Sequence, residues 1–197
     1  MNPNLNANQP SEGEQFLADF FDSVGIKYES EKRIDGLKND TKQYRTADFY
    51  LPRYKVYVEF FGLWNNNGNG NEKYRHKRDV YRVNSIPCVY IYPENLGIID
   101  YAFDKRLQMI LEQYNLKKEL RKYKLYKLRE TREFSNRIGI IAVCILLQLL
   151  LLPTGRFSSI DWKIMSAFGM IVTYQVFHLY NLYMNIFKRN KHTLECL

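Results

Sequence analysis

The run Arg45-Thr46-Ala47-Asp48-Phe49-Tyr50-Leu51-Pro52-Arg53-Tyr54-Lys55-Val56-Tyr57-Val58-Glu59-Phe60-Phe61-Gly62 is rich in β-branched and aromatic residues and is interrupted once, by a proline-led turn. It predicts two strands, 43–51 and 55–61, joined as a hairpin. Side chains alternate between the faces of a strand. Alternation puts Ala47, Phe49 and Leu51 on a core face with Val56, Val58 and Phe60. The other face then carries Thr46, Asp48 and Tyr50 beside Tyr57, Glu59 and Phe61. With the turn centred on Arg53 and Tyr54, Asp48 stands directly opposite Glu59. Opposed side chains have Cβ atoms about 4.5–5.5 Å apart, and like charges there repel. A divalent cation relieves that repulsion, and Mg²⁺ favours one or two carboxylates together with water and phosphate oxygens. Two carboxylates in water, or one paired with Arg53 or Lys55, are the plainer alternative.

Working outward, Ser11-Glu12-Gly13-Glu14 has the form of a capping box, and Leu17, Phe20, Phe21 and Val24 follow at helical spacing up to Gly25. Glu14 lies on the side of Leu17, Ala18 and Phe21, so it suits either the cap or the sheet. A first strand is expected over 26–34, a loop rich in Asn and Gly over 63–71, a second helix over 72–83, a strand over 87–92 and a helix over 99–114. A basic helix over 116–134 leads onward. Lys77 lies on the apolar side of the second helix with Tyr74, Val80 and Tyr81, where its long stem can reach inward. His76, beside Glu72 and Asp79, reads as solvated. This order predicts an α/β domain with a mixed sheet flanked by helices.

The net charge of +8 is unevenly spread over the 197 residues. Residues 1–116 hold 15 Lys+Arg against 16 Asp+Glu, whereas residues 117–137 hold 9 against 3. The basic excess therefore argues against a nucleic-acid-binding role based on pI for the front domain. It comes from Lys117, Lys118, Arg121, Lys122, Lys124, Lys127, Arg129, Arg132 and Arg137, which suit an anionic lipid surface first and nucleic acid as the alternative, the two being compatible. Residues 138–152 then lack charge, and residues 164–187 contain no Asp, Glu, Lys or Arg. Spanning a bilayer takes about 20 helical residues, so the first run must borrow from its flanks and the second suffices. Basic residues outside both runs, including Lys188, Arg189 and Lys191, place both ends in the cytoplasm and the 153–161 turn outside. A buried hairpin of a soluble protein is the alternative. Gln175, His178, Asn181 and Asn185 share one face of the second helix, suited to packing against other helices, including those of a homo-oligomer. Cys88, Cys144 and Cys196 form no disulfide or zinc pattern, which fits a reducing compartment. The Asn-rich 1–10 segment predicts a disordered start and no secretory signal.

Together Glu14, the Gly25-Ile26-Lys27-Tyr28 strand entry, the Asp48 and Glu59 segments and Tyr74-Arg75-His76-Lys77 resemble the PD-(D/E)XK nuclease superfamily, in its Vsr-like and homing-endonuclease-like branch. The resemblance covers residues 11–115. It implies a restriction-endonuclease-like fold in which Asp48 and Glu59 bind Mg²⁺ or Mn²⁺, with Glu14 as accessory carboxylate. The family places a lysine two residues after the second acid. Phe61 stands there instead, and Lys77 is the replacement the resemblance offers. Nucleic acid, DNA first, is the implied substrate, with Lys73, Arg75 and Arg78 as contacts and the Trp64, Asn65 and Asn67 loop beside Glu59.

The expected organisation is a nuclease-like domain over 11–115, a basic juxtamembrane helix over 116–137, a two-helix transmembrane hairpin over 138–187 and a cytoplasmic tail over 188–197. The leading function is a membrane-anchored, metal-dependent nuclease, with foreign DNA as a candidate target. Its competitors are a catalytically inactive membrane-bound adaptor for nucleic acid or protein, and a transporting or sensing hairpin with a regulatory front domain.

Overall fold

A computed structural model describes residues 10–63, 69–151 and 159–188. The expectations for the N-terminal nine residues, for Trp64, Asn65 and Asn67, for the 153–158 turn and for the 189–197 tail, with Cys196, lie outside the described residues. The chain divides into two compact units, one ending at Leu120 and the other beginning at Arg121.

The first unit is α/β. Helix α1 (Glu12–Ser23) precedes strands β1 (Glu29–Asp35), β2 (Tyr44–Leu51) and β3 (Val56–Phe60); α2 (Asn69–Val83) leads to β4 (Cys88–Ile91), and a 3-10 turn (Pro93–Ile98) to α3 (Ile99–Gln113). The sheet order is β1-β2-β3-β4. The first three strands are antiparallel neighbours, and β4 runs parallel to β3, as a strand reached through a crossover helix does. The hairpin has the expected register, with Phe49 opposite Val58, Tyr50 opposite Tyr57 and Leu51 opposite Val56. Lys55, with φ of 58°, closes its turn, and Tyr54 is buried beneath it.

Helices cover both faces of the sheet. On one, Phe21 of α1 meets Phe49 with ring centroids 5.4 Å apart and Phe103 of α3 at 5.2 Å. On the other, Val80 and Tyr81 of α2 pack with Ile34, Ala47 and Cys88. Alternation predicts Ala47 on the same face as Phe49, yet the two lie on opposite faces. The cause is a twist in the row that holds Glu31 and Asp48. Ser30 pairs with Phe49 and Lys32 with Ala47, while Glu31 between them has φ of 51°. A left-handed residue inside a strand turns the residues after it to the other face, so Ile34 joins the α2 side.

Beyond α3 the expected single helix over 116–134 is two. Helix α4 (Lys117–Glu130) stops at Thr131, and α5 (Arg132–Leu151) starts beyond it. Thr131 turns its hydroxyl onto the Lys127 carbonyl at 3.0 Å, and such back-bonding competes with helix continuation. Lys124 is buried, and Lys127 lies 3.4 Å from Glu130. Burial withdraws Lys124 from the row of basic residues expected at a lipid surface, whereas Lys127 is half-buried and Lys117, Lys118, Arg121, Arg129 and Arg132 are exposed. Helix α5 does extend into its flank, and its segment Arg132–Leu150 is long and apolar enough to cross a membrane. Helix α6 (Ser159–Lys188) has 30 residues, but no comparably apolar window is found among its described residues, since Gln175, His178 and Asn181 dilute it. Arg137 of α5 donates to the Gln175 side chain at 2.9 Å. The partly covered residues of α5, Phe134, Arg137, Ile141, Cys144 and Gln148, recur every three or four positions, a seam like that of a helix pair. His178 and Asn181 are half-buried and Asn185 is exposed.

Candidate active site

Strand β3 brings Glu59 to the face covered by α2, where the side chain is 1% exposed. Both of its carboxylate oxygens are engaged. Lys77 Nζ pairs with Oε2, and the Tyr81 hydroxyl donates to Oε1 at 2.8 Å. Lys77 and Tyr81 are one helical turn apart, so a single face of α2 supplies both donors. Lys77 also donates to the Thr46 carbonyl at 3.0 Å, which ties α2 to β2 beside Asp48. The amine therefore reaches inward from α2, as its place on the apolar side of the helix predicts. Sequence reasoning gives Tyr81 no role at the site, although its position four residues after Lys77 puts it on the same side.

Asp48 occupies the twisted row of β2. One of its oxygens, Oδ2, accepts the Phe60 backbone N–H at 2.6 Å, so the side chain replaces a rung of the β2–β3 ladder. Its carboxyl is held up at about 6, chiefly by burial; Lys77 and the Phe60 N–H oppose that shift, and Glu14 and Glu31 add to it. Glu59 is likewise raised by burial and then by the charge of Asp48, against the pull of Lys77 and Tyr81. One ammonium thus serves two acidic groups.

Glu14 serves the cap and also faces the sheet. Its carboxylate accepts the Ser11 N–H at 2.8 Å while the Ser11 hydroxyl accepts the Glu14 N–H at 3.3 Å, completing the capping box. It also lines a cavity of about 560 Å³ with Asp48, Glu31 and Thr46. Gly13 lets α1 come this close, because a Cβ there would overlap the Phe60 ring. Glu31 escapes sequence reasoning; only the register places it opposite Asp48. Among the described residues, no three His, Cys, Asp or Glu side chains are grouped as a ready-made metal cage.

Phe61, at the position where the family pattern has a lysine, is fully buried, stacked on Tyr74 with centroids 4.3 Å apart and packed against Tyr90. An ammonium there would be enclosed by aromatic rings. Lys73 lines a second, larger recess, and Arg75 and Arg78 are exposed on α2. His76 is half exposed, but its neighbour is Asp40, at 3.8 Å, and neither Glu72 nor Asp79. Asp40 is clamped by Arg45 through contacts of 2.6 and 2.7 Å, which hold its carboxyl down at about 2. No family model, curated protein or solved structure matches the chain.

Proposed function

We propose that the chain is a metal-dependent nuclease, with a PD-(D/E)XK-like site built from Asp48, Glu59 and Lys77 and carried at a membrane by α5 and α6. One observation supports this above the rest: a buried glutamate, next to a second carboxylate, meets a lysine delivered from the following helix. Burying two acids against one amine is unfavourable for stability alone, and groups so perturbed concentrate at functional sites.

The donor set suits a hard divalent ion, Mg²⁺ or Mn²⁺. Asp48 has an oxygen beyond the one given to Phe60, Glu14 and Glu31 line the same cavity, and the charge of the two acids exceeds what Lys77 neutralises. Asp48 and Glu59 would hold the ion, which when bound would acidify a water molecule and draw charge from a phosphate oxygen. Lys77 can exchange its partner from Glu59 to a phosphoryl oxygen and stabilise negative charge developing at phosphorus. Tyr81 keeps Glu59 oriented during that exchange. Phe60 N–H fixes the Asp48 carboxylate. The test is incubation of the purified full-length chain with plasmid and Mg²⁺: cleavage is expected, and its survival in the Asp48→Ala, Glu59→Ala double variant would end the assignment.

The inactive-adaptor reading rests on a different feature, the engagement of both Glu59 oxygens by protein groups. Titration with Mn²⁺ separates the two: an adaptor shows no binding that depends on Asp48 and Glu59.

For the anchor, α5 and α6 together form the membrane hairpin of this proposal. Ile140, Val143, Leu146 and Leu150 on α5, and Val176 and Phe177 on α6, are exposed, apolar side chains that lipid would cover.

A further inference from the structure

Beside the acidic cavity lies a recess of about 880 Å³, formed by the segment entering β2 and by α2. Its walls include Lys42, Lys73 and Lys77, with His76 and the exposed ring of Tyr44. Thr46 lines both the recess and the Asp48 cavity, so the two share a wall residue. This concentration of cations sits in a segment of the chain whose net charge is slightly negative, and the acids beside it are each paired with a cation, Asp40 with Arg45, Asp35 with Arg33 and Glu59 with Lys77. The Arg33 guanidinium, ion-paired with Asp35 at 2.7 Å, lies 4.0 Å from the centroid of the Tyr44 ring.

We infer that this recess binds an unpaired stretch of nucleic acid, with phosphates on Lys42 and Lys73 and a base stacked at Tyr44, next to the Lys77–Glu59 pair. A basic groove with an aromatic face is the chemistry of single-strand binding. In a duplex the base faces are already stacked and cannot reach a tyrosine without being extruded. A recess within the range of small-ligand sites, about 300–1,000 Å³, accepts a few unpaired nucleotides and leaves a duplex across its mouth. The inference deepens the nuclease reading and rests on it for the cleavage of the bound strand, because Lys77, the partner of Glu59, lines the recess.

Binding of labelled oligo-dT of about 12 nucleotides to the full-length chain in nanodiscs, in EDTA, is read by fluorescence anisotropy. The expected result is tighter binding of oligo-dT than of a duplex of equal length. Lys42→Ala with Lys73→Ala should weaken it at least about tenfold at 0.1 M salt, and should flatten the slope of log K against log salt by about 1.4. Tyr44→Leu should weaken it about five- to 100-fold, with recovery in Tyr44→Phe. Tighter binding of oligo-rU than of oligo-dT supports the recess equally and names RNA as the ligand. Equal or tighter binding of duplex overturns the inference. So does wild-type affinity in the Lys42, Lys73 and Tyr44 variants, or loss confined to Lys117→Ala and Lys118→Ala. An inactive chain that still binds through Lys42 and Lys73 removes the nuclease reading and leaves the recess assigned. A cleaving chain indifferent to those variants removes the recess alone.

Discussion

Asp48 has a carboxyl raised to about 6 against an unfolded value of about 3.9. A raised carboxylate opposes folding: the penalty is absent below pH 4, grows as pH rises through 4–6 and is complete above 6. Asp48→Asn, whose amide oxygen still accepts the Phe60 N–H, should therefore stabilise the fold at pH 7.5 in EDTA by about 1–3 kcal/mol, seen as a higher Tm, and leave it unchanged at pH 3.5. Melting curves at the two pH values check this. Tyr81 is the other residue whose role is specific. Removing its hydroxyl leaves Glu59 Oε1 buried without that donor, so Tyr81→Phe should cost about 1–3 kcal/mol in denaturant unfolding.

Among the elements, β1 and β2 depart furthest from regular geometry. The register of the hairpin was legible, because Pro52 and the alternation on either side leave few pairings that bury Phe49, Leu51, Val56 and Val58 together. The change of face at Asp48 was not legible, since nothing in Glu-Ser-Glu-Lys marks Glu31 as left-handed. Glu31→Gly should stabilise the fold by about 0.5–1 kcal/mol, because glycine adopts positive φ without strain. Glu31→Val should destabilise it by about 1–3 kcal/mol and return Ala47 towards the α1 face. Thermal unfolding of the pair, with chemical shifts of the Ala47 methyl, measures both. Lys77 was legible from helical spacing alone, because Tyr74, Val80 and Tyr81 define the buried side of α2. That Glu59 would be sealed beneath this helix was not, since alternation assigns a face without saying what covers it.

At the scale of the whole molecule, the two units differ in how they treat apolar surface. The first encloses it between helices and sheet, with Leu17, Phe21, Val58 and Leu107 fully buried. The second leaves Val143, Leu146, Leu149, Leu150 and Phe177 more than half exposed, and folding alone does not remove that area from water. The full-length chain should accordingly stay with the membrane pellet after an alkaline wash and pass to the supernatant in detergent, as immunoblotting of the fractions would show. Release by the wash alone would refute the lipid-facing role of α5 and α6. Sequence by itself determined the strands and helices of the first unit, the pairing of the hairpin, the inward-facing lysine and the placing of the apolar helices at the end, because each follows from periodicity over neighbouring residues. Only tertiary structure decided that Glu31 joins the Asp48 row, that Tyr81 meets Glu59, that Lys124 is buried and that a cationic recess opens beside the acids. Those outcomes depend on which strands and helices cover one another, and contacts between residues far apart in the chain leave no period to read.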